Sequence, residues 1–266
     1  MFELNVIVSI YLQLNNVLLG FMKDTEAVGY FTAATKIMVI TMSISSALGA
    51  VIMPRTSNLI AEERMDEFKA LVQKSYDFIF ALAMPLMVGL IFTSPSAVLL
   101  LSGEGFVPAI LTSQIVAFNI LTVGLSGVMG IQVLYPLGKI NIVILCTSSG
   151  AIINVFLNVL LIPRYGHNGT AVAYMLAEMT VTVSMFFIGK RYIPIRFLKR
   201  QHLNYVLGSV VMGVCLYFIS WLGLGNTATL VMMISMGGIV YVVILLFLRD
   251  SIGMIPWKIL REKFGK

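Results

Sequence analysis

Long apolar runs alternate with short polar breaks along nearly all of the 266 residues. The pattern predicts eight helices, each near the roughly 20 residues needed to cross a hydrocarbon core. The expected spans are 5–21, 28–53, 78–101, 109–135, 140–162, 169–188, 205–222 and 230–248. Residues that stop helices or supply positive φ punctuate them: Lys23-Asp24-Thr25, Gly103-Glu104-Gly105, Pro136-Leu137-Gly138, Pro163 through Gly169, and Gly223 through Asn226. One sizeable segment, 54–74, is polar. Leu59, Ile60, Met65, Phe68, Leu71 and Val72 recur there at helical spacing, which predicts an amphipathic helix lying on the membrane surface. The expected fold class is therefore an all-α integral membrane protein. Its domains are a six-helix body over 1–189, a basic connector over 190–204, a two-helix hairpin over 205–248 and a basic tail over 249–266.

Composition supports this. The chain is 59% hydrophobic and 11% charged, with a mean hydropathy of +0.95, whereas a soluble domain carries roughly 25% charged residues. The net charge of +6 would suggest nucleic acid in a soluble protein, but topology accounts for it. Connections after the even spans hold Arg55, Arg64, Lys69, Lys74, Lys139, Lys190, Arg191, Arg196, Lys199 and Arg200, and the tail adds Arg249, Lys258, Arg261, Lys263 and Lys266. The opposite connections hold only Lys23 and Arg164. Positive flanks resist translocation, so the basic side is expected to be cytoplasmic, and an even span count puts both termini there. No nucleic-acid partner is expected, whereas membrane lipids are. Cys146 and Cys215 fall inside spans and read as small apolar residues. The first span follows Met1 with almost no leader, which suggests a piece of a longer protein.

The polar groups inside the spans carry the candidate chemistry. Lys36 and Glu178 lie roughly 12 and 14 Å below the outer ends of their helices at 1.5 Å per residue. An isolated charge near the bilayer centre costs about 2.5–3.5 kcal/mol on insertion scales, so each needs a partner or water. Two readings stand: Lys36 offers a cation to an anionic substrate in a hydrated cavity, or it pairs with Glu178 and sets helix register. Asp77, at the inner end of the third span, reads as an interfacial anchor. Asn15, Asn16 and Asn119 lie mid-span, and Thr147, Gly150, Asn154 and Asn158 share one helical face. Such a stripe suits a sugar- or water-lined path and equally suits interhelical hydrogen bonds. Spans 7 and 8 have no ionisable residue, Asn or Gln, so the hairpin is expected to stay off the substrate path. Ser45 with Gly49 and Ser209 with Gly213 have the small-residue spacing of close helix approach. No HExxH, GxSxG or P-loop pattern occurs, and no metal, cofactor or catalytic residue is expected.

The order of short motifs resembles a family. Leu19-Gly20 ends a span, followed by Val28-Gly29-Tyr30-Phe31-Thr32-Ala33-Ala34, Pro54-Arg55-Thr56-Ser57, Met84-Pro85 and Gly103-Glu104-Gly105-Phe106. Asn158-Val159-Leu160-Leu161-Ile162-Pro163, Gly166-His167-Asn168-Gly169-Thr170-Ala171 and Glu178 complete it. This resembles the C-terminal half of the Wzx-type polysaccharide-biosynthesis flippases of the MOP superfamily. The resemblance implies a six-helix second lobe with an appended helix pair. It further implies a transporter, not an enzyme, in the bacterial inner membrane, moving a polyprenyl-diphosphate-linked O-antigen or capsular repeat unit. By the same resemblance Lys36 is the position most like the family's cationic cavity residues. Asn15 and Asn16 stand where many members have an Asp, which removes a charge. The implied partners are the lipid-linked oligosaccharide, an N-terminal lobe and other polysaccharide-assembly proteins. The alternatives are a MATE-like cation-coupled exporter, which should show more cavity carboxylates than Glu178, and a membrane glycosyltransferase or polymerase, which should show a large extramembrane loop or a carboxylate or His cluster near a surface.

Overall fold

A computed structural model of the chain describes residues 13–193, 195–197 and 199–248, with the side chains of 44–51 excepted. The expected tail over 249–266, the start of the first span and the Ser45–Gly49 pair lie outside what is described. Helix α1 is described over 13–22. It is followed by α2 (Thr25–Ala61), α3 (Met65–Ser102), α4 (Ala109–Val116), α5 (Phe118–Gly127), α6 (Ile140–Gly189), α7 (Arg200–Ser220) and α8 (Asn226–Phe247). A π-helical stretch, Val128–Leu134, extends α5, so α4 through Leu134 forms one bent rod. Asp24 caps α2, its Oδ1 accepting from the Ala27 N–H at 2.7 Å.

Five helices among the described residues are long and apolar enough to cross a membrane: Met65–Ser102, Ala109–Leu134, Ile140–Gly189, Arg200–Ser220 and Asn226–Phe247. The chain is a multi-pass membrane protein. α1 and α2 fall outside that criterion, so the count of eight crossings remains a reading of the sequence. α6 is a hairpin of two helices, broken at Gly166 with φ 54° and ψ −132°. The return arm comes so close that a Cβ on Gly169 would lie 2.6 Å from the Leu161 carbonyl oxygen. Both glycines are needed for this reversal, one for its dihedrals and one for its missing side chain.

The segment 54–74 differs from expectation. α2 runs through Pro54 to Ala61, and α3 starts at Met65. Between them Glu63 turns the chain with φ 57°, and the Arg64 N–H closes the turn on the Leu59 carbonyl at 2.9 Å. No single surface helix forms; the expected apolar stripe is divided between two long helices, with Leu59, Phe68 and Val72 buried in a common core.

α3 is the hub, packing against α2, α4, α5, α7 and α8. One apolar core joins α1, α2, α4, the start of α5, the bend of α6 and the C-terminal half of α3. Another gathers the N-terminal end of α3, the π stretch and both arms of α6. A third joins α3 to α7 and α8. Alternate connections meet at opposite ends. At one end Tyr30 packs edge-on against Phe106 and His167, and Thr112 lies 2.7 Å from His167 Nδ1. At the other, Gln73 bonds Arg196, and Lys139 sits 5.6 Å over the Tyr192 ring.

Candidate substrate site

An apolar groove of about 790 Å³ opens beside α3. α3 forms its floor with Phe78, Leu82, Leu86 and Leu90, α2 contributes Ile40 and Thr41, and α7 and α8 supply the facing wall with Met212, Met233 and Val242. Gly237 and Gly238 thin α8 there: Gly237 lets Leu216 and Met212 pack close, while Gly238 opens on empty space. Over 205–222 and 230–248 the hairpin that supplies this wall has no Asp, Glu, Lys, Arg, Asn or Gln.

Lys36 lies on the exposed face of α2. It is four residues, about 6 Å of rise, from Ile40 at the groove's edge, and on the same helical face. Glu178 is 9% exposed. No ion pair joins the two among the described residues, so the register pairing considered for them is not formed here.

The amides divide into groups. Asn158 Nδ2 shares its hydrogens among Asn15 Oδ1 (2.9 Å), the Asn154 carbonyl (2.9 Å) and Asn154 Oδ1 (3.1 Å). All three residues are at most 1% exposed, and Asn154 Nδ2 and Asn158 Oδ1 have no hydrogen-bond partner among the described residues. Asn119 is fully buried, and neither of its side-chain amide atoms has a hydrogen-bond partner among the described residues. Asn16 is half-buried and accepts from Thr32 Oγ1 at 3.4 Å. The sequence stripe Asn154–Asn158 therefore points inward to α1, fastening one helix to another. The triad holds no carboxylate.

Two polar clusters went unassigned in the sequence. At the Thr112 end, Thr112 Oγ1 donates to Asn168 Oδ1 at 2.8 Å and meets His167, while Tyr30 OH donates to Glu26. Burial holds the His167 imidazole below its ordinary pKa, with the Asp24 carboxylate acting in the opposite sense. At the other end, Asp77 receives Lys199 Nζ at 2.6 Å and His202 Nε2 at 3.0 Å. Asp77 alone was singled out, as an anchor; its partners lie more than 120 residues away, though Gln73 and Asp77 at helical spacing hinted at a polar contact.

The comparisons agree with this architecture. A family described as polysaccharide biosynthesis protein matches residues 1–111. The probable low-salt glycan biosynthesis flippase Agl15 of Haloferax volcanii is 24% identical over 230 residues, covering 86% of this chain and 48% of that protein. The fold matches lipid II flippase MurJ in an inward closed conformation, with a TM-score of 0.79 at 16% identity, over 93% of this chain and 52% of that one. The chain thus spans about half the length of both relatives. Together these findings place the first 111 residues with polysaccharide-biosynthesis proteins and the whole described chain with one fold. That fold is the one seen in MurJ.

Proposed function

We propose that the chain is one lobe, with its helix pair, of a flippase that carries a polyprenyl-diphosphate-linked oligosaccharide across a membrane for O-antigen, capsular or related glycan assembly. The observation that carries this reading is the groove of about 790 Å³ beginning one helical turn from exposed Lys36. An isoprenoid chain loses nothing by lying against Leu, Met and Val side chains in place of lipid tails. A diphosphate beside it needs a cation, and Lys36 stands one helical turn beyond the groove's edge as a point charge with three donors. The relatives named as a glycan-biosynthesis flippase and a lipid II flippase support the substrate class. Because the chain matches about half of each, the reading includes a second lobe completing the path. The charge bias of the connections supports cytoplasmic termini in a bacterial inner membrane.

The buried amides take a different part. At 0–1% exposure Asn15, Asn119, Asn154 and Asn158 do not reach a sugar in this conformation, and they serve helix packing. The test is transport of a polyprenyl-diphosphate oligosaccharide by the full transporter carrying Lys36→Ala or Lys36→Arg, with immunoblotting for abundance. Lys36→Ala should lose at least tenfold in transport at normal abundance, and Lys36→Arg should keep most of it. Full transport by Lys36→Ala would remove Lys36 from the site.

A further inference from the structure

One turn of α3 holds both helices of the hairpin. Asp77 takes Lys199 Nζ at 2.6 Å on one carboxylate oxygen and His202 Nε2 at 3.0 Å on the other. Gln73, a turn earlier, donates to Asp77 at 2.8 Å and accepts from the Arg196 backbone N–H at 2.9 Å. His202 is 1% exposed and stacks on Phe80 with ring centroids 4.7 Å apart. Tyr76 OH donates to the Phe197 carbonyl at 3.3 Å. Four residues beyond Asp77, the Ala81 carbonyl accepts from Tyr241 OH of α8 at 2.6 Å. A buried charge is held this fully only where the surrounding structure over-determines its position, and removing one partner leaves the other stranded.

These contacts bear on the groove. Ala81 and Tyr241 both line it, and α7, started by Lys199 and His202, brings Met212 and Leu216 to its wall. We propose that Asp77, acting through Lys199 and His202, is a positioning residue that clamps the α7–α8 hairpin to α3 and sets the width of the groove. Tyr241 is the matching clamp on α8. The inference rests on the groove reading above for its role in transport, but the clamp itself is a statement about geometry. It makes the hairpin travel with α3 as one body, so that the groove keeps its shape as the lobe moves.

The test uses the full chain in lipid nanodiscs with Cys146→Ala and Cys215→Ala, and spin labels at exposed Phe156 in the lobe and Ile239 in α8. Double electron–electron resonance without substrate should show one narrow distance. Asp77→Asn should add a second, longer population, and Lys199→Met should do the same to a smaller extent. A pair within the lobe, Leu111 and Phe156, should stay narrow in every variant, which separates a loosened hairpin from a loosened fold. If Asp77→Asn does not accumulate, Lys199→Met carries the test. An unchanged Phe156–Ile239 distance in Lys199→Met and in any Asp77→Asn that accumulates refutes the clamp and leaves the groove reading standing. Broadening of both label pairs alike also refutes it. Failure of a lipid chain to enter the groove, measured separately, would refute the groove reading and leave the clamp intact.

Discussion

The six-helix lobe and the appended hairpin solve the problem of packing in lipid in opposite ways. The lobe fastens its helices with buried amides: Asn158 of α6 bonds Asn15 of α1, and Thr182 Oγ1 bonds the Thr122 carbonyl at 2.9 Å. Over 205–222 and 230–248 the hairpin has no Asn or Gln. It relies on close approach, with Gly208 against the Tyr241 ring, and Gly213 against Val88 and Phe92. Polar atoms enter its contact with α3 near one turn, at Asp77 and Ala81. The difference teaches where an apolar guest can sit. A lobe closed by directional hydrogen bonds has a fixed interior, whereas an apolar wall held at one end leaves an open groove beside it.

The comparison can be broken at its strongest point first. Gly169→Val places a side chain against the Leu161 carbonyl at the α6 reversal. It should destabilise the lobe by about 3 kcal/mol or more, seen as lost membrane abundance and a lower melting temperature. An unchanged melting temperature would show that the reversal is looser than described. Next is the amide triad. Asn158→Leu leaves buried amide oxygens of Asn15 and Asn154 without their donor and should cost about 1–3 kcal/mol. Adding Asn15→Leu should cost less than the sum of the two single changes, and strict additivity would deny the bond. The smallest effect is at the Thr112 end. His167 is held neutral by burial, so its contribution is present above the ordinary histidine pKa and is lost as pH falls through its lowered value. Melting curves between pH 8 and pH 5 should fall more for wild type than for His167→Gln, and parallel curves would exclude the histidine.

Much of the lobe was legible because turns have their own chemistry. Gly103, Gly138 and Gly166 mark reversals with positive φ, and Asn154 with Asn158 announced a polar face by spacing alone. The reading failed at Glu63, a non-glycine residue at φ 57° that leaves no mark in a stretch whose helical periodicity continues on both sides. The groove was illegible for another reason. Its lining on four helices has the same apolar character as surfaces facing lipid, and only packing tells them apart. Asp77 was visible as a charge, but its meaning lies in Lys199 and His202, which the fold brings from far along the chain.

The central claim is that the hairpin forms the wall of a lipid groove, and photolabelling reads it directly. A polyprenyl-diphosphate oligosaccharide carrying a diazirine on its isoprenoid chain should label α3 and α8 at groove positions such as Leu86 and Met233 when irradiated with the full transporter in membranes. Gly238→Trp fills open space in the groove while meeting nothing within 4 Å of its Cβ, so it should abolish that labelling with little change in melting temperature. Labelling confined to α6, or unaffected by Gly238→Trp, would contradict the account.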